Sequence, residues 1–330
     1  MLPRRSDEPR TMVGRRSEFP LTLHPSLSTL GIEIGGTKLQ LVLGDGRGTI
    51  HERRKLTVEP AQGADGIRRQ IEQTISELRR QHTIDAVGVG FGGPVDWRTG
   101  KICRSHQIAG WSDFDLAGWL QRLAGAPAFV DNDGNVAALG EALRGVGVGC
   151  DPVFYVTLGS GVGGGLVTGA KIYHGATPGE AEIGHVRLDR AGTTVESRCC
   201  GWAVDARIRD LKTREPDGVL ARLIGTDEGG EAKHLAAALG QGDDSARRLL
   251  GEVAGDLAFG LSHAVHLLHP QVIIIGGGLS RVGEPLRAGI ESALRPLTME
   301  AFAPGPKICL SALGDDVVPV GALLLAHAPD

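Results

Sequence analysis

The feature that most constrains this chain is a unit repeated three times: a short apolar run that stops at a cluster of glycines. It occurs at Gly35-Gly36-Thr37-Lys38, at Gly159-Ser160-Gly161-Val162-Gly163-Gly164-Gly165 and at Gly276-Gly277-Gly278. Glycine lets backbone N–H groups converge on phosphate oxygens with no side chain in the way. One such turn has an ordinary explanation, since hairpins use glycine for conformation alone. Three of them, each ending an apolar strand, point to a bound nucleotide. None fits the Gly-Lys-Ser/Thr phosphate loop. None opens a helix in the manner of the dinucleotide fingerprint, because residues 166–172 read as a strand returning from the turn at 159–165.

Periodicity places the other elements. Residues 31–34 and 39–43 flank the first turn as a β-hairpin. Ile67, Ile71, Ile75 and Leu78 mark a helix, and residues 86–91 a buried strand running into Gly92-Gly93-Pro94. A second helix carries Leu116, Trp119, Leu120 and Leu123. A short strand at 128–130 ends in Asp131-Asn132-Asp133-Gly134, which opens a helix running through Arg144. In the second half, a strand at 153–158 precedes the second turn, and residues 206–240 are helical with breaks at Pro216 and Gly229-Gly230. A long helix over 245–268 has Leu249, Val253, Leu257, Leu261, Val265 and Leu268 as its apolar face and stops at His269-Pro270. The strand at 272–275 ends in the third turn, and residues 279–294 read as one helix. Strand, glycine turn and hairpin thus occur in each half, which favours two related α/β lobes over one doubly wound sheet.

Bulk properties narrow the function. A chain of 330 residues is long enough for two lobes, and its net charge of -4 carries no electrostatic footprint for nucleic acid. The five cysteines are odd in number and scattered, unlike a secreted disulfide framework. No apolar run reaches bilayer-spanning length, and no signal-peptide core is present, so no membrane partner is expected and the cytoplasm is the default. Residues 1–28 are Arg-rich with four prolines and read as a disordered tail, or as sequence ahead of a true start at Met12.

Two segments could carry chemistry. Asp133 stands at a strand end and helix start, where the ordinary role is an N-cap. Asp131, Asn132 and Asp133 together exceed what one cap requires, and a carboxylate there could accept a proton from a hydroxyl attacking a phosphoryl group. The segment Gly179-Glu180-Ala181-Glu182-Ile183-Gly184-His185 brings two carboxylates and a histidine together, as a solvated loop or, with Cys199-Cys200, as metal ligands.

Taken jointly, Ile32-Glu33-Ile34-Gly35-Gly36-Thr37-Lys38, Asn132-Asp133, residues 157–165 and Glu182-Ile183-Gly184-His185 resemble the ROK family of repressors, open reading frames and sugar kinases. The run His269-Pro270-Gln271-Val272-Ile273-Ile274-Ile275-Gly276-Gly277-Gly278-Leu279 is similar to its adenosine-site strand and turn, and Gly314-Asp315-Asp316 through Gly321-Ala322 to its C-terminal signature. The matches recur in order from about residue 30 to 326. The resemblance implies a two-lobed actin/hexokinase-like (ribonuclease H-like) α/β kinase with ATP, Mg²⁺ and a hexose in the cleft between lobes. The small lobe would comprise 29–133 with 315–330 packing back on it, and the large lobe 134–314. Gly35, Gly36, Thr37 and Lys38 would line the phosphate path, with Gly159, Ser160, Gly161 and Gly163 closing from the other lobe and Gly276 and Gly277 against adenosine. Asp133 would be the catalytic base. Gly93, Gln107, Asn132, Asp133, Glu182 and His185 would face the sugar, for which glucose leads and an N-acetyl-hexosamine or fructose is the alternative. A homodimer is also implied.

Three departures stand out. Glu33 sits where the family usually has Asp, and Gln107 where an Asn often touches the sugar. The family's His followed by Cys-x-Cys-Gly-x-x-Gly-Cys-x-Glu becomes His185 followed by Cys199-Cys200-Gly201-Trp202-Ala203-Val204-Asp205. Four well-placed ligands are needed for a structural zinc and only His185, Cys199 and Cys200 are on offer, so zinc is not expected. Asp205 or Glu196 could stand in for the missing sugar-binding Glu. A sugar-binding transcriptional regulator is the competing function; it needs a recognition helix, and the 30-odd residues before Glu33 show no helical period.

Overall fold

The computed structural model describes residues 28–103, 109–177, 179 and 181–328. Gln107 and residues 1–27 of the tail expected over 1–28 lie outside them.

The first half contains β1 (Thr29–Ile34), β2 (Lys38–Gly44), β3 (Ile50–Thr57), α1 (Gly63–Leu78), β4 (Ala86–Phe91), the small hairpin β5 (Val95–Asp96) and β6 (Lys101–Ile102), α2 (Leu116–Ala124), β7 (Ala128–Asn132) and α3 (Asp133–Arg144). The second contains β8 (Val153–Leu158), β9 (Val162–Thr168), β10 (Lys171–Ile172), α4 (Val195–Cys199), α5 (Gly201–Arg214), α6 (Val219–Ile224), α7 (Leu235–Gly240), α8 (Asp244–Leu268), β11 (Val272–Gly276), α9 (Glu284–Leu294), β12 (Lys307–Leu310) and α10 (Val317–Leu325).

The expected duplication is explicit in the sheets. One has the order β3-β2-β1-β4-β7 and the other β10-β9-β8-β11-β12. In each, a hairpin and a further antiparallel strand flank the first strand on one side, and two parallel strands on the other. The ends of β1, β4 and β7 therefore lie side by side, as do those of β8, β11 and β12. Ligand crevices in parallel sheets open at such strand ends.

Helices α3 and α10 follow the last strand of each repeat and pack on each other. Their backbones touch: a Cβ at Gly321 would lie 1.9 Å from the carbonyl oxygen of Val136. The fully buried Glu141 of α3 pins the approach to α10 by accepting from Ser311 Oγ at 2.6 Å and Leu313 N at 2.9 Å. A buried carboxylate is tolerable only with such partners. Helix α10 also packs on β1 and β4. Among the described residues no helix is long and apolar enough to cross a membrane.

At two of the glycine turns the element boundaries differ from expectation. Strand β9 begins at Val162, paired with Leu158, so the second turn is only Gly159–Gly161. Gly164 and Gly165 lie inside the strand because backbone presses on them: a Cβ at Gly164 would be 2.6 Å from Ala181 O, and one at Gly165 2.5 Å from Gly134 O. The helix expected over 279–294 is a 3₁₀ turn, Gly278–Val282, then α9, separated at Gly283 with φ +82°.

Candidate active site

Strand ends from the first sheet build one wall. The β1–β2 turn closes with Gly35 N donating to Lys38 O at 2.7 Å, and Gly92 N donates to Ile34 O at 2.8 Å. At the end of β7, Asn132 rather than Asp133 caps α3: its Oδ1 accepts from Gly134 N at 2.8 Å. Its Nδ2 donates to Gly93 O at 3.1 Å. Asp133, at the first helical position, is thereby released from the capping role that sequence offers it. Its carboxylate faces the first turn: a Cβ at Gly92 would stand 3.5 Å from both Asp133 Oδ2 and Gly35 Cα.

Asp133 keeps a partly open face, yet dense protein around it disfavours the charged form. Burial first, then the negative charges of Glu33 and Glu182, push its carboxyl up to about 7, against the opposing pull of the Gly134 N–H. Glu33 is raised too, mainly by burial, with the amide of Gln40 and the charge of Lys38 working the other way. A carboxyl that holds its proton near neutrality can exchange it with a substrate hydroxyl.

The second sheet adjoins the start of α3, where a Cβ at Gly134 would lie 2.5 Å from Gly164 O. Gly201 N donates to Gly159 O at 2.7 Å, and Glu196 Oε2 accepts from Val162 N at 2.8 Å. Glu196, offered above as a sugar ligand, instead braces the glycine turn. Asp205 accepts from Gly230 N at 3.1 Å and Ala232 N at 2.7 Å, so its carboxylate is engaged elsewhere. The third turn abuts the second: Gly277 has φ +80°, and a Cβ there would lie 2.6 Å from Leu158 backbone. Only glycine combines that conformation with that approach.

Asp315 ties these parts together, 3.1 Å from Lys38 Nζ and 2.7 Å from Arg281 Nη2, just past the third turn. Lys38, then burial in opposition and further help from Arg281, hold its carboxyl below the ordinary range.

The structure thus gathers Gly35, Gly92, Gly93, Asn132, Asp133 and Glu182, with Glu33 as a member sequence reasoning noted only as a departure. His185 is exposed in the 3₁₀ turn Ile183–His185. The cysteines do not join it. Cys199 Sγ is buried against Val253 O at 3.7 Å, and Cys200 Sγ accepts from Ala203 N at 3.4 Å, capping α5. Among the described residues no three His, Cys, Asp or Glu side chains are grouped to hold a metal.

Known proteins match this architecture over most of its length. The glucokinase of Thermotoga maritima is 30% identical over 308 residues, 90% of this chain and 96% of its own. That of Streptomyces coelicolor is 33% identical, covering 92% and 98% respectively. The crystal structure of a ROK family glucokinase from Streptomyces griseus, in complex with glucose and AMPPNP, superposes with a TM-score of 0.80 at 31% identity. It covers 91% of this chain and 99% of that one, and bears out the expected two-lobed actin-like fold. The ROK family model matches residues 29–329, and the chain belongs to that family.

Proposed function

We propose that this sugar kinase transfers the γ-phosphoryl group of ATP to a hexose hydroxyl, with Asp133 as the general base and glucose as the leading substrate. The observation that carries the reading is the Asp133 carboxyl, held near neutrality where β1, β4, β7 and the Glu182 loop converge. ATP is favoured by the glycine turns at the strand ends of both sheets, joined where Asp315 pairs with Lys38 and Arg281, and by the AMPPNP bound to the Streptomyces griseus relative.

In this reading the sugar oxygen attacks the γ-phosphorus as its proton passes to the Asp133 carboxylate, and the bond to the bridging oxygen of ADP breaks. The proton leaves to water after release of the sugar phosphate. Asn132, Gly93, Glu182, His185 and Gln107 orient the sugar, and binding both substrates closes the lobes and excludes water that would otherwise accept the phosphoryl group. Mg²⁺ suits this donor set: the Glu33 carboxylate stands near Lys38 and Asp133, while among the described residues no group of three or more ligands forms a cage, as expected of a cation carried largely on phosphates. Bound there, it would neutralise phosphate charge. The lobe division at residue 133, with the C-terminal helix returning to the first lobe, belongs to the same reading and is supported by the seat of α10 on β1 and β4.

A coupled ADP-release assay across glucose, mannose, fructose and the N-acetyl-hexosamines tests it. Glucose should stimulate ADP release most. No stimulation by any sugar would sink the kinase reading, and preference for an N-acetyl-hexosamine would redirect its substrate.

A further inference from the structure

Next to the candidate base lies an arrangement that the reaction above does not use. Asp131, almost fully buried, precedes Asn132; its Oδ1 accepts from Asn132 N at 2.7 Å and Asn135 Nδ2 at 3.0 Å. Its Oδ2 lies 2.6 Å from Nε2 of His174, which with a carboxylate as acceptor carries the proton. His174 follows β10 and enters the loop that carries Glu182 and His185. Its ring stacks on Trp97, between β5 and β6, at 4.1 Å between centroids and 14° between planes. Arg98 then lies 4.6 Å from the Trp97 ring and donates to Thr177 Oγ1 at 2.7 Å, returning to the same loop.

We propose that His174 is a positioning residue for sugar phosphorylation: clasped between Asp131 and Trp97, it fixes the loop at 173–185 against the strand end bearing Asn132 and Asp133. The proposal rests on the reading of Asp133 and Asn132 given above. Outside the short turn Ile183–His185, that loop has no regular secondary structure of its own to hold it among its described residues. The clasp gives it three anchors on elements distant in sequence. A buried carboxylate oxygen deprived of its donor is costly, so the His174 contact is not readily surrendered to alternative loop positions. Displacing reacting groups by about 1 Å can cost about 10²-fold in rate, so precision here bears on turnover as well as affinity.

Two variants of the full chain separate the anchors. His174→Phe keeps a ring for Trp97 and loses the donor to Asp131; His174→Gln keeps an amide donor and loses the stack. Kinetics with glucose and ATP are measured beside hydrogen exchange of the loop. For His174→Phe, kcat/KM for glucose should fall about tenfold or more, while KM for ATP stays within about twofold. Exchange over 173–185 should quicken, and His174→Gln should recover most of the loss. A merely structural role would lower thermal stability while moving both substrates alike or neither. Glucose kinetics within about twofold of wild type, or loop exchange unchanged, would overturn the proposal. If His174→Phe does not fold, His174→Gln should show the same direction at smaller size, and wild-type loop exchange in it overturns the clasp. A wild type that phosphorylates no sugar defeats the kinase reading instead, and the exchange arm still decides the clasp.

Discussion

Asn132 Nδ2 donates to Gly93 O at 3.1 Å, so the residue that caps α3 also ties the end of β7 to the turn after β4. Asn132→Ala should remove both. Loss of the cap should cost about 1 kcal/mol of stability, read as a lower denaturant midpoint, and loss of the tie should raise KM for the sugar. Asn132→Ser can restore the cap while being too short for Gly93. Stability returning without sugar affinity would separate the two roles; both returning together would show that the tie to Gly93 contributes nothing.

The pH profile should report the Asp133 carboxyl. A general base must be ionised, so kcat/KM for the sugar should rise with pH and level off above an inflection near the value of about 7. An inflection near 4, the ordinary aspartate range, would show that the ionisation limiting the reaction is not that of a carboxyl raised by burial beside Glu33 and Glu182.

Much of this was legible in sequence because apolar runs punctuated by glycine are a local signal. Strand β8 and helix α8 stand where pattern puts them, since β8 is buried along its length and α8 buries a regular apolar stripe. Strand β3 escaped the pattern: Ile50-His51-Glu52-Arg53-Arg54-Lys55-Leu56-Thr57 lacks apolar alternation because it is an edge strand whose charges discourage further pairing. Gly164 and Gly165 look like turn in sequence and serve packing inside β9. The Asp131–His174 pair spans 43 positions, and no spacing rule reaches so far. Only the excess of polar residues at 131–133 hinted that more than a cap was present.

The contact between α3 and α10 makes Gly321 a sharp test of the fold. Alanine is the better helix former by about 1 kcal/mol, yet its Cβ would lie 1.9 Å from Val136 O and 2.7 Å from Val136 C. Backbone on both sides leaves nothing flexible to yield. Gly321→Ala should therefore destabilise by roughly 1–3 kcal/mol or more, seen as a fall in Tm. An unchanged Tm would mean that the two helices stand further apart.

The chain purified without added metal should hold far less than one zinc per molecule by elemental analysis. Burial first, and the charge of Asp256 next, push the Cys199 thiol up to about 12, so it is protonated at neutral pH and faces Val253 O. In the folded chain it should react slowly with a thiol reagent at pH 8 and become reactive on unfolding. Zinc at about one per chain, or rapid labelling of Cys199 in the native state, would refute this.

The decisive variant is Asp133→Asn. Since Asn132 is the cap, the exchange leaves the helix start intact and removes only the capacity to take a proton. The loss should fall on kcat, by about 10²–10⁴-fold, with sugar affinity changed much less. Stability should move the other way. The unfolded chain releases this proton near 3.8 and the folded chain near 7, so folding favours the protonated form. That contribution is full below pH 3.8 and is lost as pH rises to about 7. Replacing the carboxyl with a neutral amide removes the dependence. The variant should match wild type near pH 4 and exceed it at pH 8 by about 1–3 kcal/mol, discounted for the open edge of the site. An ordinary structural aspartate would show the reverse, with small kinetic effects and lower stability throughout. A variant that keeps more than about a tenth of wild-type kcat would move the base elsewhere.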